Sequence, residues 1–207
     1  MAKLILVRHG ISTYNAKGVW TGWADPPLAK EGFEEAKKAG IVIKDLQINF
    51  VYSSVLLRCR QTIDQILKIL GEKLPVTLAW QLNERNYGIY TNKNKWEVKK
   101  EVGEETFQKI RRSYDYPIEA GESLKDVYER ITPYYKQEIL PKLKEGKNII
   151  LSLSGNSMRA LVKFLDGVAD KDITLLEIAT GQVYVYEVNK SGKILSKEVR
   201  ITKENTV

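Results

Sequence analysis

The sequence predicts an α/β fold, a three-layer α/β/α sandwich whose mostly parallel sheet carries helices on both faces, built as a single domain over residues 1–207. Three observations predict it. Leu4–Val7 is a short, wholly apolar run, as strands are when both faces of a sheet are covered. Further short strand-like runs alternate with segments of helical spacing along the chain. The 207 residues are 43% hydrophobic and 29% charged, an ordinary globular composition long enough to bury a continuous core without metal or disulfide staples.

In chain order, Leu4–Val7 runs into Arg8-His9-Gly10, a strand leading to a loop. Roughly Leu28–Leu46 carries helical spacing. Phe50–Ser53 is a second short strand, and Val55–Leu70 is a helix stopped by Gly71. Pro75–Ala79 is a third strand, and Gln81–Asn94 is polar, aromatic and loop-like. Two helical segments follow, near Lys95–Val102 and Glu105–Tyr114. Ser123 caps a long helix reaching about Lys144, with Asp126 at the capping-box position and Pro133 as a kink or break. Asn148–Leu153 is a buried strand, Ser157–Leu165 a helix, Gln182–Val188 an alternating late strand and Ile194–Ile201 another. Ligands in such sheets bind beyond the carboxyl ends of the strands. Arg8-His9-Gly10 and Ser154-Gly155-Asn156 both stand there.

Composition removes several function classes. No apolar run approaches the about 18 residues of a membrane-spanning helix. Met1–Val7 is too soon interrupted by Arg8 to read as a signal peptide. Cys59 is the only cysteine, so no internal disulfide forms and a reducing, cytoplasmic setting is expected. His9 is the only histidine, which excludes zinc sites needing two imidazoles and leaves no metal expected. The net charge of +7 favours anionic partners. With no block of five or six basic residues, no zinc-finger spacing and no RNA-binding aromatic pattern, the expected partner is a small phosphorylated molecule, with neither nucleic acid nor membrane.

A lone histidine in a turn is usually satisfied by backbone hydrogen bonds. Here Arg8 before His9 adds a permanent, bidentate-capable cation, and Gly10 after it lets the backbone approach a ligand. Neutral imidazole near pH 7 is a competent nucleophile toward phosphorus. Leu6-Val7-Arg8-His9-Gly10-Ile11-Ser12-Thr13-Tyr14-Asn15 is followed in order by Thr21-Gly22-Trp23 and Tyr52-Ser53-Ser54-Val55-Leu56-Leu57-Arg58. Then come Leu82-Asn83-Glu84-Arg85-Asn86-Tyr87-Gly88, Asn94-Lys95 and Arg111-Arg112-Ser113-Tyr114-Asp115. Glu122-Ser123-Leu124-Lys125-Asp126 and Gly155-Asn156-Ser157-Met158-Arg159-Ala160-Leu161-Val162-Lys163 complete the series. Together these blocks resemble the histidine phosphatase superfamily and, within it, the 2,3-bisphosphoglycerate-dependent phosphoglycerate mutases, from Leu4 to about Val188.

The resemblance implies a glycolytic isomerase that interconverts 2- and 3-phosphoglycerate through phosphohistidine, with 2,3-bisphosphoglycerate as primer. His9 would be the nucleophile and Glu84 the general acid/base. Phosphoryl transfer is mostly positioning and neutralisation of oxygens, so fixed cations and donors must converge. Arg8 and Arg58 would clamp the transferring group, and Ser12, Asn15, Thr21 and Gly22 would add neutral donors. Tyr87, Lys95, Arg111 and Arg112 would hold the far end of the substrate, and Gly155 and Asn156 would add donors at a helix N-terminus. The plain alternatives are a surface Glu84–Arg85 pair and a solvated Arg111-Arg112 helix edge. Relatives by this resemblance are often homodimers.

The departures are specific. The superfamily normally carries a second histidine in the slot held here by Ser154, and losing one preorganised donor costs about 100- to 1000-fold in rate. Asn86 and Val19 stand where related mutases have histidine and arginine, and Ile11 replaces a polar residue. Only Tyr116–Gly121 separates the Arg111–Asp115 block from Glu122, where relatives carry a longer insertion. A G-x-S-x-G elbow is absent, so Ser154 does not read as a hydrolase nucleophile. Two alternatives to a mutase therefore stand: a phosphomonoester phosphatase of the same superfamily, and a catalytically weak or inactive phosphometabolite-binding paralogue.

Overall fold

β1 (Ala2–Arg8) forms the middle of a six-stranded sheet in the computed structural model, which describes residues 1–200. The other strands are β2 (Phe50–Ser53), β3 (Val76–Leu78), β4 (Ile149–Leu153), β5 (Val183–Val188) and β6 (Ile194–Arg200), and the spatial order is β3-β2-β4-β1-β5-β6. β3, β2, β4 and β1 run parallel; β5 is antiparallel to β1, and β6 to β5. The sheet is therefore mixed, and its parallel side carries the Arg8 and Ser154 strand ends. Ile201, at the end of the expected last strand, lies outside the described residues.

The apolar run of β1 has a direct cause. Leu4 and Leu6 point into one core layer, Ile5 and Val7 into the other, and all four are fully buried. The first layer is closed by α5 (Leu124–Tyr134), α6 (Leu140–Lys144) and α7 (Gly155–Asp166), the second by α2 (Lys30–Ile41) and α3 (Leu57–Leu70). Each such aliphatic side chain contributes about 1.5–3 kcal/mol of burial. This is the expected three-layer arrangement. α3 ends at Gly71 in the left-handed conformation, φ 71°, the stop read from the sequence.

Several boundaries differ for physical reasons. The helix expected over 28–46 ends at Ile41, yet Ile43 and Leu46 still pack in the second core layer, so apolar spacing runs past the helix. The two segments expected after Asn94 are one element, α4 (Lys95–Arg112), interrupted by Gly103 at φ 78°, ψ 164°. The long helix after Ser123 has its capping box with Asp126, but a wide π-turn (Tyr135–Ile139) follows Pro133 before α6 begins. α7 starts at Gly155, two residues earlier than expected, with Ser154 as its N-cap. α1 (Thr13–Ala16) was not foreseen, being a single turn too short for periodicity.

The loop after β1 is locked by backbone contact. A Cβ on Gly10 would sit 2.1 Å from the Gly32 carbonyl oxygen, and one on Gly32 would sit 2.1 Å from that of Ile11. Only glycine at both places lets α2 press the loop against the sheet end.

Candidate active site

Arg8 pairs with Leu153 in the β1–β4 register, and the His9 N–H donates to the Leu153 carbonyl at 2.8 Å. His9 and Ser154 are thus the next residues on adjacent parallel strands. The Gly10 N–H donates to Thr62 Oγ1 at 3.2 Å, joining this turn to the first turns of α3, which carry Arg58 and Cys59.

His9 is buried, at 2% exposure. Its Nδ1 lies 2.6 Å from the Gly10 carbonyl oxygen. A carbonyl only accepts, so Nδ1 carries the proton and Nε2 keeps the lone pair. Burial, then repulsion from Arg58 and Arg8, holds the imidazole well below its ordinary value of 6.5 and outweighs the Gly10 bond. The unfolded chain binds a proton at His9 below pH 6.5 and the folded chain does not, so the stability present above 6.5 falls as pH drops toward the lowered folded value. Urea unfolding between about pH 8 and pH 5 is expected to show this loss in the native protein and less of it in His9→Asn. Equal pH dependence in both would contradict the neutral, buried state.

Glu84 is buried at 8% exposure, which removes the reading of a surface ion pair. Its Oε1 accepts from the Arg85 N–H at 2.7 Å and from the Asn156 N–H at 3.1 Å, so the N-terminus of α7 meets the Glu84 loop. Asn156 Nδ2 donates to the Tyr87 hydroxyl at 2.9 Å, and its Oδ1 accepts from Arg159 at 2.9 Å. Arg58 donates to the Ala24 and Gly22 carbonyls at 3.0 and 2.9 Å.

Of the expected residues, Arg8, Asn15, Thr21, Gly22, Glu84, Tyr87, Lys95, Arg111, Arg112, Gly155 and Asn156 line one cleft of 440 Å³. His9, Ser12, Arg58 and Ser154 are buried and are not among the residues that line it. Ser12 was expected to donate to a ligand. Its hydroxyl instead donates to Asn15 Oδ1 at 2.9 Å and accepts the Asn15 N–H at 3.1 Å, so it orients Asn15. The Asn156 amide groups are likewise engaged by protein rather than free for a ligand. Arg111 and Arg112 are part-buried, not a solvated edge. Asn86, Val19 and Ile11 do not line the cleft.

Burial depresses Arg8, Lys95 and Arg111 below their ordinary values, and for Lys95 and Arg111 the next cause is a neighbouring arginine. Arg8 Nε, Arg58 Nε and Thr21 Oγ1 are buried without a partner. An unpaired buried donor costs about 1–3 kcal/mol, more when charged. A phosphate's oxygens relieve both the repulsion and the unpaired donors, so the residues present fit a phosphorylated ligand.

Sequence reasoning missed Trp20, Arg159, Glu177, Ile178, Ala179 and Gln182, which also line the cleft. Arg159 had a signal, since it sits inside a quoted block; it donates to the Asn156 side chain and to the Arg112 and Ile173 carbonyls. Glu177 pairs with Arg112, and the Ile178 carbonyl accepts from Arg8. This stretch has no motif. It arrives because β5 runs antiparallel to β1, with the Gly181 N–H on the Arg8 carbonyl at 3.1 Å.

Residues 4–199 match the histidine phosphatase superfamily (branch 1). The chain belongs to that superfamily. Among its relatives is a protein of Chelativorans sp. (strain BNC1) named 2,3-bisphosphoglycerate-dependent phosphoglycerate mutase, 45% identical over 95% of this chain and 97% of the relative. A protein of the same name from Parvibaculum lavamentivorans is 41% identical over 97% of each chain. In fold, this histidine phosphatase chain is similar to a mycobacterial glucosyl-3-phosphoglycerate phosphatase solved with VO3, at TM-score 0.82 and 20% identity over 97% of this chain and 98% of that one. No helix among the described residues of this superfamily member is long and apolar enough to cross a membrane.

Proposed function

We propose that this chain is a phosphoglycerate mutase that interconverts 2- and 3-phosphoglycerate through phosphohistidine at His9, acting in cytoplasmic glycolysis. The observation that carries the reading is a neutral His9 whose Nδ1 is engaged by Gly10, with Arg8 and Arg58 as its charged neighbours and Arg8, Lys95, Arg111 and Arg112 lining one cleft. Arg8 and Arg58 are the charged neighbours of the histidine, and Lys95, Arg111 and Arg112 line the cleft with Arg8, where a second anionic group needs partners. 2,3-Bisphosphoglycerate, with two phosphates and a carboxylate, would pair with these cations and supply the phosphoryl group that primes His9.

Nε2 attacks phosphorus, the bond from phosphorus to the leaving oxygen breaks, and Glu84 gives that oxygen its proton. In the return step the Glu84 carboxylate takes the proton from the other hydroxyl, which attacks phosphorus as the bond to Nε2 breaks. Arg8, Arg58 and Thr21 neutralise and orient the transferring oxygens. The mutase relatives support the choice of substrate.

A phosphatase is the second reading, and one observation favours it. The short stretch 116–121 is tied to the turn Gly88–Tyr90 and does not cover the cleft: the Ile89 N–H donates to the Glu119 carbonyl at 3.1 Å, and none of these residues lines the cleft. Less cover leaves phosphohistidine open to water. A coupled assay with 3-phosphoglycerate, with and without 2,3-bisphosphoglycerate, run beside hydrolysis of p-nitrophenyl phosphate, separates the readings. Mutase turnover that needs the bisphosphate supports the first. Dominant hydrolysis supports the second, and binding without turnover supports the inactive paralogue.

Ser154 sets a further expected result. Its Oγ lies 3.5 Å from Cys59 Sγ, with both residues fully buried. An imidazole that leaves the backbone along the serine's Oγ direction would meet Sγ. Ser154→His with Cys59→Ala is therefore expected to raise mutase kcat by up to about 100- to 1000-fold, the scale of one transition-state donor, and Ser154→His alone by less. Steady-state kinetics under identical priming measure it. No gain in the double variant would mean that a second imidazole adds nothing at this site.

A further inference from the structure

Arg130 and Glu122 do not line the cleft; Arg130 reaches Glu84, which does, through its backbone carbonyl. Arg130 projects from α5 and Glu122 stands just before its Ser123 cap; their side chains are 9% and 18% exposed. The Arg130 guanidinium meets both oxygens of Glu122, Nε to Oε1 at 2.8 Å and Nη2 to Oε2 at 3.0 Å. The same group donates to three carbonyls, that of Gln81 in the turn Trp80–Leu82 at 2.6 Å and those of Asn83 and Glu84 in the loop after it, each at 3.0 Å. Glu122 Oε2 in turn accepts the Asn86 N–H at 2.8 Å. The loop 83–87 has no helix or strand to satisfy its backbone, so these side chains take that role.

We infer that Arg130 and Glu122 act as positioning residues, a clamp that fixes the backbone of residues 81–86 and thereby aims the Glu84 carboxylate. The route is short. Glu84 Oε1 is held by the Arg85 N–H, so the peptide between residues 84 and 85 sets where the carboxylate points. The clamp seizes that peptide by the Glu84 carbonyl, which also accepts from Trp23 Nε1 at 2.6 Å. Guanidinium is the suitable group: its planar, rigid fork meets a carboxylate and several carbonyls at once, whereas an ammonium is a point charge. The inference rests on the proposed acid/base role of Glu84.

Arg130→Lys keeps the charge and loses the fork. The expected result is a kcat lower by about 10- to 100-fold, the scale of an ångström-sized misplacement, with KM within about twofold. In a Glu84→Gln background the same substitution is expected to cost no further kcat, because its effect runs through Glu84. Glu122→Gln, which keeps an oxygen for the Asn86 N–H, is expected to retain more activity than Glu122→Ala. Hydrogen exchange of the same proteins reads the clamp without turnover: Arg130→Lys should speed exchange at residues 84–87, Asn86 above all, with α7 and the sheet unchanged. Unchanged exchange at Asn86, or an equal kcat loss in both backgrounds, would overturn the inference. A native protein without turnover would refute the proposed function, while the exchange result would still decide the clamp.

Discussion

His9→Asn is expected to abolish phosphoryl transfer, a loss on the order of a millionfold by comparison with other covalent catalysts stripped of their nucleophile. The asparagine amide can still donate to the Gly10 carbonyl, as Nδ1 does at 2.6 Å, so the turn between β1 and α1 is kept. What disappears is the Nε2 lone pair. The cations of the cleft are untouched, and Arg8 Nε and Arg58 Nε still lack partners. Inorganic phosphate should therefore bind the variant at least as well as the native protein. Coupled turnover and calorimetric phosphate titration check the two halves. Appreciable mutase turnover in His9→Asn would rule out covalent transfer through this histidine.

Glu84→Gln is expected to lower kcat by about 100- to 10,000-fold, the usual contribution of a general acid/base. The amide oxygen can still accept from the Arg85 and Asn156 N–H groups, so the loop and the α7 N-terminus keep their places. KM should change little. In the burst that phosphorylates His9 the loss should shrink with p-nitrophenyl phosphate, whose leaving oxygen needs no proton, and that contrast separates a missing acid from a damaged cleft. Equal losses in the His9 phosphorylation step with both substrates would make Glu84 a structural residue.

The candidate site residues were legible because their pattern is local. Arg8-His9-Gly10 follows an apolar strand, and Ser154 follows another; parallel register then brings both ends together. The layered fold was legible for the same reason, since β1 is apolar on both faces where core lies on both. Contacts set by tertiary packing left no local trace. Ser12 turned inward to Asn15, because a one-turn helix needed a cap. Glu177 reached Arg112 only through the antiparallel return of β5. Cys59 faced Ser154 through the docking of α3 onto the end of β4. Arg130 and Glu122 read as ordinary helix charges until the loop they hold was in place.

The proposed reaction turns on which atom receives the phosphoryl group. Brief incubation with 2,3-bisphosphoglycerate, an alkaline quench and ³¹P NMR of the intact protein, with mass spectrometry of its peptides, locate that atom. Phosphate on His9 through Nε2, stable to base and labile to acid, is the expected result, because Nδ1 is engaged by Gly10. An acid-stable phosphoester, or unmodified His9 during sustained turnover, would contradict it.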